Sequence, residues 1–313
     1  MRVRPTATDW LLFGLMSVFW GTSYLFIKIG LETLAPFTLI AGRLFLGAIV
    51  LGIALWLSKA ALPRDRATYG NLVVMAIVNI VVPFSLITWG EESIDSSLAA
   101  ILQATTPLFT LVVAALAIDE EAITLNRLVG LIIGFGGVVV LFSSGLGGGG
   151  SGQLTGMIAI VLSSISYACG AVFVRIRMKG QPPTVPAFFQ VGIAFLIISV
   201  LAILLDPPIA LPPEGRSVFA VVWLGVFGSS LAYLIFFRLV HTMGPTRISL
   251  IAYVMPIVAI VAGMLVLNEV LEPQTIVGTA IILSGVGLAN SRLGARRIFG
   301  RNRAEVPPGA QTG

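Results

Sequence analysis

Long apolar runs recur along the chain at near-regular intervals, separated by short polar connections. A run of about 20 apolar residues is long enough to cross the hydrocarbon core of a bilayer as a helix. Ten such runs are legible, at 9–29, 37–57, 69–90, 96–117, 124–144, 154–174, 184–205, 217–237, 246–267 and 274–291. A spanning barrel would alternate apolar and polar residues instead, so the predicted fold is all-α and integral to the membrane, with ten transmembrane helices. The connections leave no room for an inserted soluble domain. The first run is expected to span rather than to be cleaved as a signal peptide, since no small-residue cleavage site follows it.

One stretch organises the rest. Leu98 to Glu120 reads as a span with Pro107 near its middle and an acidic end, and it returns as Ile248 to Glu269 with Pro256 in the same place. A proline inside a helix removes a hydrogen bond and crowds the preceding turn. In lipid the freed carbonyl must be answered by a neighbouring helix or by water in a cavity. Two interrupted helices at matching positions of two halves point to the binding site of a repeat-built transporter, so Pro107 and Pro256 are candidate helix breaks and gating points. Trp20 to Lys28 corresponds likewise to Tyr167 to Arg175, and Pro36 to Pro183. The expected organisation is a first repeat over 1–144 (spans 1–5), a Gly-rich link over 145–153, a second repeat over 154–293 (spans 6–10) and a basic, disordered tail over 294–313. Five spans per copy turn the second copy over, giving two inverted-topology repeats.

Composition agrees: 57% of residues are hydrophobic and 11% charged, with a mean hydropathy of +1.01. Soluble domains carry about 25% charged residues. Lys and Arg gather in alternate connections and in the tail, which predicts a multi-pass protein of the plasma (cytoplasmic) membrane with both termini cytoplasmic. That distribution also accounts for the net charge of +5 without nucleic acid as a partner. One cysteine, Cys169, and one histidine, His241, leave no intramolecular disulfide and no imidazole cluster. No metal and no cofactor are expected.

The chain resembles the drug/metabolite transporter superfamily, in its EamA-like ten-span form. The resembling residues are Trp20-Gly21-Thr22-Ser23 and Lys28, Arg43, and Ala104 to Thr110 in the first half. In the second half they are Ala232-Tyr233, Phe237-Arg238-Leu239, Gly244 to Ser249, Tyr253 to Pro256 and Asn268-Glu269. The resemblance implies a basket of helices around a central cavity, working by alternating access on a small-molecule substrate. It names no substrate.

Arg43 lies inside a span, where a charge costs at least about 2.5 kcal/mol at the helix centre. It reads either as a cavity-facing cation that holds a carboxylate, or as a cation bound to backbone carbonyls near Pro36 or a kinked neighbour. Buried hydroxyls, amides and aromatic polar groups need partners in hydrocarbon. Trp20, Ser23, Asn79, Gln103, Thr106, Tyr167, Tyr233 and Tyr253 are therefore candidate substrate contacts together with Arg43, with helix–helix hydrogen bonding as the alternative for each. Gln103 and Thr106 share a helix face beside Pro107, and Tyr253 stands three residues before Pro256. Lys28 is expected to snorkel to the interface. No acid lies deep in a span, so a coupling proton would need Glu91, Glu92, Glu120 or Glu269; another coupling ion remains open. Glycines of spans five and ten allow close helix packing within the chain, or a homodimer contact. The expected function is a secondary, non-ATP exporter of a small organic metabolite or drug. A membrane-embedded enzyme is the weaker alternative, lacking HExxH, a phosphate loop or a Ser/His pair within the spans. A non-transporting scaffold or receptor of the same fold would need a binding surface that the short loops do not offer.

Overall fold

The computed structural model describes residues 5–118, 123–147, 150–178, 181–209, 214–243, 245–248, 250–291 and 297–299. Helix α1, Ala7–Leu31, starts at a capping box, with Thr6 accepting from the Asp9 N–H and Asp9 accepting from the Thr6 N–H. Helix α2, Pro36–Ser58, opens on the proline that its first turn tolerates. Helix α3, Arg66–Ala76, begins under the Asp65 carboxylate and passes through a π-helical segment, Ile77–Val81, into α4, Val82–Gly90. Helices α5, Ser96–Gln103, and α6, Thr106–Ala117, form one span broken at Ala104-Thr105, with Pro107 in the first turn of α6.

Helices α7, Leu125–Gly147, α8, Gly150–Arg177, and α9, Thr184–Leu205, follow. Helix α10, Gly215–Trp223, runs through a second π segment, Leu224–Leu231, into α11, Ala232–Thr242. After α12, Pro245–Ile248, come α13, Ile251–Leu267, and α14, Pro273–Asn290. Among the described residues, eight helical runs are long and apolar enough to cross a membrane, and α13 is a shorter apolar helix. A two-stranded antiparallel pairing, β1 Ile123–Thr124 with β2 Arg297–Phe299, completes the described elements.

Several details differ from the sequence expectation. The glycine-rich stretch is not an open link where it is described: α7 runs to Gly147 and α8 resumes at Gly150, because two long spans on either side propagate their helices into it. Residues 297–299, expected in a disordered tail, form β2; the rest of 292–313 lies outside the described residues. Helix α13 continues through Pro256, whereas the span containing Pro107 is broken. The two π segments stand at the same offset in the chain as Trp20 and Tyr167, a recurrence that hydropathy cannot register.

The bundle packs as helix pairs: α7 on α14, α2 on α9, α4 on α8, and α1 on α13, α10 and α11. Helices α7 and α14 meet backbone to backbone, since a Cβ on Gly130 would fall 2.6 Å from the Gly285 carbonyl oxygen. Met16, Leu39, Leu102 and Ile282 are fully buried between helices, while Trp56, Leu116, Val139 and Leu265 face outward in the manner of a lipid-facing surface.

Candidate functional site

Helix α1 presents Trp20, Ser23, Tyr24, Ile27 and Lys28 on one face, at the three- and four-residue spacing of a helical stripe. The upper part of that stripe meets the second π segment. The Trp20 indole N–H donates to the Gly228 carbonyl at 3.1 Å, and its ring packs on Tyr233 and Phe236 with centroids 5.7 and 5.6 Å away. A π turn closes i→i+5 bonds and disturbs the ordinary ladder, which frees carbonyls of this kind for side chains. Gly228 is needed for the approach: a Cβ there would lie 2.9 Å from the Ser23 Oγ and 3.5 Å from an Arg43 Nη. Ser23 is buried and donates to the Phe19 carbonyl at 2.7 Å.

Arg43 projects from α2 into the same place. It is 4% exposed; its Nε donates to the Ser229 Oγ at 3.1 Å, and its guanidinium sits 4.2 Å over the Phe84 ring of α4. A desolvated guanidinium gains from both contacts, charge-assisted hydrogen bond and aromatic face alike. Tyr24, Tyr167, Tyr233 and Glu91 lie within its electrostatic reach. The structure thus gathers Trp20, Ser23, Arg43, Tyr167 and Tyr233, five of the expected residues, from α1, α2, α8 and α11. The contacts of Arg43 run to a hydroxyl and a ring rather than to the carbonyls freed by Pro36.

The remaining candidates are engaged elsewhere. The Gln103 Nε2 donates to Thr106 at 2.9 Å, and its Oε1 accepts from Ser163 of α8 at 2.6 Å. Thr106 donates to the Gln103 carbonyl, closing the α5–α6 break. Asn79, in the first π segment, fills the place that a Cβ at Gly170 of α8 would take. Tyr253 directs its hydroxyl toward Asn290 and Gly287 of α14.

Three residues near one end of the bundle were undervalued by sequence reasoning. The Lys28 ammonium does not snorkel; it donates to the Glu91 and Ile94 carbonyls at 2.6 and 2.8 Å and so caps the end of α4. Glu91, the first residue beyond α4, is fully buried, and neither carboxyl oxygen has a hydrogen-bond partner among the described residues. Burial holds its pKa well above the ordinary carboxylate range; Lys28 and Arg43 oppose that rise, and Glu269 adds to it. The Glu269 carboxylate, just past α13, meets the N-terminus of the neighbouring α5, accepting from the N–H groups of Ser96 (2.8 Å) and Ser97 (3.0 Å) and from both hydroxyls. That is a helix N-cap supplied from a distant part of the chain. Glu120 lies outside the described residues. No cluster of three or more metal-ligating side chains exists among the described residues.

Comparison with known proteins points in one direction. The chain is 32% identical over 252 residues to the uncharacterized inner membrane transporter YedA of Escherichia coli K12, covering 79% of this chain and 78% of that protein. It is 25% identical over 306 residues to the uncharacterized transporter YvbV of Bacillus subtilis, covering 95% of this chain and 96% of that one. A solved crystal structure superposes with a TM-score of 0.67 at 19% identity, over 94% of this chain and all of that one, a likeness of fold alone. The model of the EamA-like transporter family matches residues 9–143 and 154–291, nearly the whole bundle in two copies. A multi-pass membrane protein built this way, with these relatives, belongs to the EamA-like transporter family of the drug/metabolite transporter superfamily.

Proposed function

We propose that the chain is a secondary carrier that exports a small organic metabolite or drug by alternating access. The observation that carries this reading is the buried Arg43 at the junction of α1, α2, α4 and the second π segment, edged by Trp20, Ser23, Tyr167 and Tyr233. A guanidinium beside aromatic faces suits an amphipathic solute that offers a carboxylate or another planar acceptor. The two family matches, the recurring π segments and the charge distribution support ten spans in two inverted repeats, with both termini in the cytoplasm of a cell whose plasma membrane holds the protein. The α5–α6 break at Pro107 and the proline within α13 are the bending points of the rearrangement. Gln103, Thr106, Asn79 and Tyr253 hold the helices that border the site, and they reach the solute when those helices move.

A thermal-shift panel of amino acids, nucleosides, purines and amphipathic drugs on purified protein tests the site. A ligand present at about 100 times its Kd adds about 2.7 kcal/mol to stability. In a chain of this size that raises the melting temperature by about 5 °C. One chemical class is expected to give the shift, and Trp20→Ala is expected to abolish it when measured against the variant's own unliganded melting temperature, which itself falls by several degrees as the packed indole is lost. A shift that survives Trp20→Ala places the solute elsewhere.

A further inference from the structure

We propose that Glu91 is a proton-binding site whose ionisation releases the latch that Glu269 holds on the start of α5. The inference goes beyond the carrier reading and rests on it only for the use to which the opening is put.

The latch joins the two family-model matches through four hydrogen bonds to one carboxylate. Glu269 satisfies two N–H groups and two hydroxyls at the first turn of α5, which Asp95, the residue at the cap position, leaves without a side-chain bond. Asn268, in left-handed conformation with φ 55°, turns the chain at the end of α13 so that Glu269 folds back. Gly263 is required beneath it, because a Cβ there would collide with the Glu269 carboxylate and lie 2.6 Å from the Ser97 Oγ.

Glu91 sits four residues before Asp95 on the same connection, and among the described residues its own carboxyl joins no such network. Charged and titratable groups from three packed elements act on it. Lys28 and Tyr24 face it from α1, Arg43 from α2 and Glu269 from the segment after α13. The length of α8 that packs beside Gly90, around Gly156 and Ile160, carries no charge. Lys28 is spent on backbone carbonyls and Arg43 on Ser229 and Phe84, so neither forms an ion pair with the Glu91 carboxylate. A buried carboxyl without partners is stable when protonated and costly when ionised.

The sign follows. Because burial raises the Glu91 pKa in the closed arrangement, that arrangement binds the extra proton. Its stability is complete at low pH and is lost as pH rises through the raised pKa. Ionisation also sets a second anion near Glu269, weakening the hold on Ser96 and Ser97. Relief comes from opening this end of the bundle, where water solvates Glu91. One proton is then bound on closing and released on opening, and the only other bonds exchanged are the hydrogen bonds of Glu269 to Ser96 and Ser97, which water replaces.

The test uses the full chain in lipid nanodiscs, on a Cys169→Ser background, with spin labels at Ser93→Cys and Val270→Cys. Both positions are exposed and stand either side of the latch. Distances are measured by double electron–electron resonance at about pH 5.5 and about pH 8.5, on either side of neutrality. The expected result is one short distance at low pH and a growing population longer by on the order of 5 Å at high pH. Glu91→Gln is expected to keep the short distance at both values, and Glu269→Gln the long one at both. A pH shift that persists in Glu91→Gln, an unchanged distance in the parent protein, or a short distance retained by Glu269→Gln overturns the proposal. No substrate enters the experiment, so its failure leaves the solute site untouched, and failure of the solute site leaves this result standing.

Discussion

Replacing Arg43 by methionine abolishes most transport while the protein still reaches the membrane folded. Methionine keeps much of the side-chain bulk between α2 and the second π segment but removes the cation, the hydrogen bond to Ser229 and the contact with the Phe84 ring. A hydrogen bond from a charged group contributes about 1.5–3 kcal/mol, and each 1.4 kcal/mol is tenfold in an equilibrium. If that charge meets the solute, flux of the compound found by thermal shift falls by about 10- to 100-fold in reconstituted vesicles. Arg43→Lys falls with it, because an ammonium keeps the charge but not the planar fork. Membrane levels and the melting temperature separate this from a scaffold role. Removal of a buried cation also lifts its desolvation cost, so the folded protein survives. Loss of folded protein in Arg43→Met, with any residual molecules transporting normally, would make Arg43 a brace between helices.

The second large effect concerns the α7–α14 seam. Gly285→Val prevents accumulation of a folded, monodisperse protein. A Cβ on Gly285 would lie 2.6 Å from the Gly134 Cα and 2.7 Å from the Gly130 carbonyl oxygen, both backbone atoms that no rotamer change can move. The helices must separate instead, which forfeits the burial of Leu141, Ile282 and Val286 along the seam. Overpacking of side chains costs about 1–3 kcal/mol, and a backbone collision exceeds that range. Gly136→Val and Gly192→Val are the matched controls, since nothing lies within 4 Å of a Cβ at either position. Fluorescence-detected size exclusion of the three variants checks the contrast: a sharp peak for both controls and none for Gly285→Val. A sharp peak for Gly285→Val would mean that the seam is looser than its geometry.

What the sequence made legible was whatever leaves a mark in periodicity or in unusual residue placement. Apolar runs marked the helices, and Arg43 drew notice because a charge inside a span is rare. Trp20 and Tyr167 stood out as repeat equivalents; Tyr167 lies within the electrostatic reach of Arg43, and Trp20 bonds Gly228, which Arg43 borders. The π segments were invisible because one extra residue in a turn of an apolar helix leaves hydropathy unchanged, yet they place Gly228, Ser229 and Asn79. Glu91 and Glu92 read alike, as acids of a connection, but Glu91 is buried and Glu92 exposed. That distinction is set by Gly156 and Ile160 of α8 packing on Gly90 and by Lys28 of α1 bonding the Glu91 carbonyl, contacts distant in sequence. Glu269 gave no sign of its target either, for Ser96 and Ser97 lie in the other half of the chain. Gln103 and Tyr253 stand near prolines in the sequence; Ser163 and Asn290, which engage them, belong to helices that no local pattern links to those prolines.

In the proposed mechanism the Trp20–Arg43–Tyr233 site opens alternately to the two sides of the membrane. Its most direct measurement is chemical modification of Tyr233→Cys, on the Cys169→Ser background, by a membrane-impermeant thiol reagent applied to right-side-out and to inverted vesicles. The account predicts labelling from both sides, slowed in both by the compound that stabilises the purified protein. Labelling from neither side, or from one side alone under every condition, would contradict it.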